Sequence, residues 1–197
     1  MEVVLVRHGE TEWTRTRQHT GRKADIGLTE EGRRQGRLVG AALRGRRFGL
    51  VLTSPLRRAR ETCELAGFGD VAQVREEFAE WDYGEYEGRT TAEIRAERAD
   101  WSLWRDGAPG GEAADDVGRR ADSVIEELRA AGLDALVFGH GHQLRVLAAR
   151  WLGLPPADGR LFVLGTASIS ILGYERENAV ISRWNEPLEE AASGEAG

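Results

Sequence analysis

A chain of 197 residues, 41% hydrophobic and 30% charged, has the size and balance of one soluble globular domain, able to bury about 70% of the surface it exposes unfolded. Its net charge of −6 argues against nucleic acid or an anionic membrane as a main partner. Cys63 is the only cysteine, which excludes an intrachain disulfide and suits a reducing compartment.

Val3 to Val6 is a continuous apolar run, the pattern of a strand buried on both faces. The chain starts acidic at Glu2 and the run closes at Arg7, so this reads as a strand and not as a secretory leader. With no run of about 18 apolar residues to span a membrane, a cytoplasmic location is expected. "LTEEGRRQGRLVGAALRG" follows as a helix, with Thr29 as N-cap and Gly45 as its stop. "FGLVLTS" is a second buried strand, and "PLRRARETCELAG" a helix opening on Pro55 in its first turn and ending at Gly67. A weak strand near Val71 to Val74 leads into the acidic, aromatic "EEFAEWDYGEYEGRT".

Residues 90–99 and 115–131 read as helices, separated by the glycine-rich turn "DGAPGGE". "DALVFGHG" is the third strong strand, followed by the helix "HQLRVLAARWLG" and two late strands at "ASISILGYE" and "AVISRW". Alternation of strands with helices predicts a three-layer αβα sandwich with a mostly parallel central sheet. Residues 1–187 are expected to form that single domain, and 188–197 a loose acidic tail.

Ligand crevices of open parallel sheets lie beyond the carboxyl ends of the strands. Here the three strong strands end in Arg7-His8-Gly9, Thr53-Ser54-Pro55 and Gly139-His140-Gly141. A glycine beside each histidine lets backbone and ligand come close, for want of a Cβ. Arg57 and Arg58 fall in the first turn of the helix after the second strand, where free N–H groups already favour an anion. Two arginines and two histidines therefore can converge on one phosphate-sized site, arginine offering paired, charge-assisted hydrogen bonds.

Four segments in order, "LVRHGETEW", "SPLRRARET", "EWDYGEYEG" and "VFGHGHQLR", resemble the motifs of the histidine phosphatase superfamily, in its phosphoglycerate-mutase-like branch. The resemblance spans residues 5 to about 145 and implies the phosphoglycerate-mutase-like fold. It implies His8 as the nucleophile that becomes phosphohistidine, and Arg7, Arg58 and His140 as the phosphate clamp. Glu80 matches the carboxylate proton donor; Glu76, Glu77, Glu85 and Glu87 compete for that role, with Glu77 the main rival. Thr14, Gln18, Thr20, Gly21, Tyr83, Gly141 and His142 are implied as substrate-binding positions. A neutral histidine among cations suits nucleophilic attack on phosphate, and a carboxyl kept protonated beside Trp81 and Tyr83 could supply the leaving group's proton.

Competing readings stand beside these. His19 and His142 either pack or touch a substrate rim. Arg57, Arg33, Arg34, Arg119 and Arg120 read as solvated helix residues, Trp101 and Trp104 as core or substrate wall, and Cys63 as inert packing. His140-x-His142 lacks a third ligand at a recognisable spacing, so neither metal nor cofactor is expected. Departures from the mutase pattern, with Thr14 for asparagine, Gln18 for arginine, Thr91 for lysine and His142 for asparagine, weaken the grip on a doubly anionic intermediate. The fuller strings are similar to those of bacterial acid phosphatases and fungal sugar bisphosphatases of this branch. Hydrolysis of small phosphate monoesters, including sugar phosphates, is thus expected, releasing inorganic phosphate; a phosphoglycerate mutase and a catalytically dead phosphate-binding module are the alternatives. Neither nucleic acid nor membrane is expected as a partner, and a homodimer stays open.

Overall fold

The computed structural model describes residues 1–188. Six strands form one sheet in the order β3-β2-β4-β1-β5-β6. These are β1 (Val3–Arg7), β2 (Leu50–Thr53), β3 (Gln73–Val74), β4 (Ala135–Gly139), β5 (Ile169–Glu175) and β6 (Asn178–Glu186). Pairings β1–β4, β2–β4 and β2–β3 are parallel, while β5 and β6 add an antiparallel edge. The helices are α1 (Glu12–Arg15), α2 (Glu30–Ala42), α3 (Arg57–Leu65), α4 (Thr91–Glu97), α5 (Leu103–Asp106), α6 (Ala114–Ala131) and α7 (Gly141–Trp151). The expected layered α/β architecture is present.

Strand alternation sorts the core into two halves. Val3, Leu5, Val137 and Leu172 pack with Val117, Ala121, Leu144 and Trp151 of α6 and α7, and with Trp81, Ile94 and Trp101. Val4, Val6, Leu136 and Phe138 face the other way, onto Val39, Leu43, Cys63 and Ala66 of the α2–α3 layer. Val3 to Val6 are each no more than 1% exposed, and full burial of such side chains contributes about 1.5–3 kcal/mol each before conformational entropy is counted. The run is apolar at every position because helices cover both faces.

Some local expectations shift. Thr29 does cap α2, its Oγ1 accepting from the Gly32 N–H at 3.0 Å, and Gly45 follows with φ +81°. Pro55 lies outside α3, which begins at Arg57 after the extended Leu56: the chain must first turn away from β2. The weak strand contracts to the two-residue edge β3, and Val71 belongs to a 3-10 turn. Residue 188, assigned to the tail, packs on the core; the rest of that tail, 189–197, lies outside the described residues.

The central strand β4 sits between β1 and β2, so three parallel strands end side by side. Arg7 pairs with Gly139, His8 N donates to Gly139 O (3.0 Å), and Ser54 N donates to Phe138 O (2.9 Å). Close backbone contact then fixes the loop after β1 against α2. A Cβ on Gly9 would stand 2.4 Å from Gly32 O, and one on Gly32 would stand 2.1 Å from Glu10 O. Gly9 N also donates to Thr62 Oγ1 of α3 (3.0 Å). The glycine after His8 was expected to make room for a ligand; its missing Cβ makes room for helix α2.

Candidate active site

His8, Ser54 and His140 are the first residues past β1, β2 and β4. His8 is 3% exposed, and its Nδ1 lies 2.7 Å from Gly9 O. A carbonyl only accepts, so Nδ1 carries the proton and Nε2 keeps its lone pair. Burial, then Arg58, then Arg7 hold the His8 pKa well below its usual value, so the ring stays neutral in mild acid.

The His140 ring stands 5.1 Å from that of His8, and its Nε2 is 2.7 Å from Ser54 Oγ. Burial, with Arg58 next in weight, lowers its pKa well below normal too. Ser54 Oγ accepts from Leu56 N and still has a hydrogen to give Nε2, which would leave the His140 proton on Nδ1. Arg58 reaches in from the first turn of α3, 1% exposed, and its Nη2 donates to Thr20 O (3.1 Å) and Gly21 O (3.0 Å). Its neighbour Arg57 points out and pairs with Glu61 at 2.7 Å. Arg7 donates from Nη1 to Leu164 O. Three buried atoms around His8 have no partner among the described residues: Arg7 Nε, Arg58 Nε and His140 Nδ1.

A cavity of about 190 Å³ opens over His8. Of the positions expected at the site, Arg7, His8, Thr14, Gln18, Thr20, Glu80, Tyr83, Gly141 and His142 line it. Arg58, His140 and Gly21 do not; the first two are buried beside His8, 1% and 0% exposed, and Gly21 contributes its carbonyl to Arg58. A Cβ on Gly21 would lie 2.8 Å from Glu87 Oε2 and 2.9 Å from Tyr83 Cδ2, so a side chain there would have to displace both. Gln18 is committed to structure: Nε2 donates to Gly88 O (2.7 Å), and Oε1 accepts from Thr16 Oγ1 (2.6 Å). Thr14 closes the capping box of α1 with Thr11.

Glu80 is 4% exposed and is the only acid among the lining residues. The aromatic neighbours expected to shield it are not what holds its carboxyl. Oε1 accepts from Trp81 N and Gln143 N, both at 2.9 Å, and Oε2 from His142 N at 3.1 Å. Glu80 thereby caps the N-terminus of α7, a job His140 at the N-cap position leaves undone. The rivals stand elsewhere: Glu77 belongs to a 3-10 turn, Glu87 accepts from Lys23 N and Ala24 N, and Glu76 and Glu85 are exposed.

Arg120 is not a solvated helix residue. Its Nη1 donates to Glu77 O (2.6 Å) and Ala79 O (2.9 Å), while Nε and Nη2 grip Glu112 at 2.9 and 3.0 Å. Arg22 completes the brace, from Nε to Glu80 O (2.9 Å) and from Nη2 to Glu112 (3.2 Å). Together they fix the backbone on either side of the Glu80 carboxyl.

Tyr83 and His142 join at the cavity wall, the phenol oxygen 2.6 Å from Nδ1. Burial lowers the His142 pKa well below normal and raises that of Tyr83. His19 lines the wall as well, stacked at 4.8 Å on Tyr83, its pKa pushed down by burial to about 4. Trp101 is core; Trp104 instead supports the wall from behind, 5.2 Å from the His142 ring. With His140 turned to Ser54 and His142 to Tyr83, the described residues hold no group of three or more His, Cys, Asp or Glu placed for a metal ion.

Two lining arginines, Arg17 and Arg145, were missed. Arg145 follows His142 by three positions on α7, so helical spacing puts both on one face, a signal present in "GHQLR". Arg17 and Arg145 add two guanidinium groups to the residues that line the cavity.

The histidine phosphatase superfamily (branch 1) matches residues 3–187. The chain belongs to that family. It is 41% identical over 197 residues to an acid phosphatase of Mycobacterium tuberculosis, covering 96% of each chain. It is 34% identical over 183 residues to the sedoheptulose 1,7-bisphosphatase of Saccharomyces cerevisiae, covering 77% of this chain and 67% of that one. A solved structure from Mycobacterium tuberculosis superposes with a TM-score of 0.90 at 38% identity, covering 95% of this chain and 98% of the other. This histidine phosphatase chain has, among its described residues, no helix long and apolar enough to cross a membrane.

Proposed function

We propose that the protein hydrolyses small phosphate monoesters, sugar phosphates among them, through a phosphohistidine on His8. The observation that carries this is a neutral His8 with its Nε2 lone pair available, ringed by unpartnered hydrogen-bonding atoms of Arg7, Arg58 and His140. Two guanidinium groups and an imidazole N–H meet the non-bridging oxygens of the phosphoryl group and spread its charge in a buried setting, where positioning and electrostatics supply most of the catalysis. His8 Nε2 forms the bond to phosphorus as the bond to the ester oxygen breaks, and Glu80 gives that oxygen a proton. The Glu80 carboxylate then takes a proton from water as the water oxygen attacks phosphorus; the P–N bond breaks, inorganic phosphate leaves and His8 returns neutral.

Similarity to the mycobacterial acid phosphatase and the yeast bisphosphatase supports the substrate class. The ligands are a phosphate monoester and inorganic phosphate, the expected compartment is the cytoplasm, and neither nucleic acid nor membrane takes part; a homodimer is a matter for solution measurement. The test is hydrolysis of p-nitrophenyl phosphate and a panel of sugar phosphates, with acid quench during turnover. Wild type should yield acid-labile, base-stable protein-bound phosphate, and His8→Ala should lose essentially all turnover. A fully active His8→Ala would end the nucleophile assignment. Net isomerisation of 3-phosphoglycerate without phosphate release would favour the mutase, and phosphate binding without turnover the non-catalytic module.

A further inference from the structure

Helix α1 ends at Arg15 with Thr16 still helical, and the next residue, Arg17, has φ +61°. That is the left-handed conformation which helix ends ordinarily give to glycine, because a Cβ is penalised there. Ala167, Arg176 and Asn185 share a positive φ, but of the four only Arg17 lines the His8 cavity, and strain of this kind persists where something else repays it. The Arg17 side chain is exposed, and its guanidinium makes no hydrogen bond or ion pair among the described residues.

Its position is particular. Arg17 lines the His8 cavity and also a second groove of about 470 Å³, whose other walls include Thr16, Thr90, Thr91 and Arg95. No acid lines that groove, and Glu80 is the only one lining the cavity beside Arg7, Arg17 and Arg145. In a chain of net charge −6 this is a local reversal of sign. Arg145 is already tethered, Nε to Gly159 O and stacked 4.6 Å over Trp104, so Arg17 is the cation able to reach a ligand on either side.

We propose that Arg17 is a specificity-determining residue that grips a second anionic group of the substrate, a carboxylate or a second phosphoryl group, where the cavity meets the groove. This rests on the phosphatase reading and narrows its substrate class to phosphate monoesters carrying another negative charge. The left-handed backbone is the cost of holding an arginine at that junction.

Stability and selectivity should therefore move in opposite directions. In Arg17→Gly the strain is relieved, and Tm should rise by about 2–4 °C, the scale of a small backbone gain in a domain of this size. The same variant should lose about tenfold in kcat/KM, through KM, on fructose 1,6-bisphosphate or 3-phosphoglycerate, against at most about threefold on glucose 6-phosphate. Comparing the first two substrates separates phosphoryl from carboxylate. Arg17→Lys, which keeps the charge and the strain, should retain most of the preference without the gain in Tm, and salt should erode the wild-type preference. Equal loss on all three substrates, no loss of preference, or a wild type with no preference would overturn the assignment while leaving the phosphatase standing. A wild type that hydrolyses no phosphate monoester would overturn both.

Discussion

Replacing Glu80 by glutamine changes one atom and tests two roles. Oε1 can keep its hydrogen bonds from Trp81 N and Gln143 N, but Oε2 becomes an NH2 facing the N–H of His142. Turning the amide over is worse, since it would set the NH2 against two donors. One hydrogen bond is lost and two buried N–H donors are left facing each other at a helix N-terminus, an effect of about 1.5–3 kcal/mol. For a domain of this length that lowers Tm by roughly 3–12 °C without unfolding it. General acid catalysis contributes about 10²–10⁴-fold, and only where the leaving group needs the proton. Rapid-quench bursts of phosphoenzyme should therefore slow by that factor with a sugar phosphate, whose alkoxide leaves badly. They should slow far less with p-nitrophenyl phosphate, whose phenolate leaves unaided. The burst is the quantity to read, because steady-state rates also contain phosphohistidine hydrolysis, where Glu80 acts as base. Equal slowing of both bursts would refute the acid assignment and leave Glu80 a cap for α7.

Arg58→Ala should cost more than tenfold in kcat/KM, since it removes a buried guanidinium beside His8, whereas Arg57→Ala loses only a surface pair with Glu61; the reverse ranking would show the wrong arginine assigned. All four histidines have pKa values lowered by burial, His19 to about 4. The unfolded chain therefore takes up protons first, near pH 6.5. Stability should be full above that pH and fall on acidification toward 4, by up to about 1.4 kcal/mol per pH unit per histidine, and urea melts insensitive to pH between 7 and 5 would contradict this. The acid limb of kcat/KM that belongs to His8 should lie well below 6.5. Activity should also survive excess EDTA, because arginines and histidines supply the positive charge; loss on chelation and recovery with a divalent cation would contradict that.

The strands were legible because burial on both faces forces unbroken apolar runs, as in Val3 to Val6 and Ala135 to Phe138. Their ends were legible because chemistry there needs residue types a core would not choose. What escaped depends on tertiary neighbours. Arg120 has the spacing of a solvated helix residue, and only the approach of residues 77–82 makes it a brace. Arg17 shows no pattern at all, since a left-handed arginine is invisible in a sequence. The direction of β5 and β6 was equally hidden, because an apolar run reads the same along an antiparallel neighbour as along a parallel one.

The close packing of Gly9 against Gly32, and of Gly32 against Glu10, bears on how a saturation library of this protein would read. Neither position tolerates even a methyl group, and the two obstructions are separate backbone atoms, so changing both residues at once rescues neither. Scored by activity alone, Gly32, out on helix α2, would look as indispensable as His8. Soluble yield would tell them apart: His8 variants should accumulate as folded, inert protein, and Gly32 variants should not accumulate. Intolerance at position 32 would then mark a joint in the scaffold, and a survey that equated intolerance with chemistry would draw the active site too large.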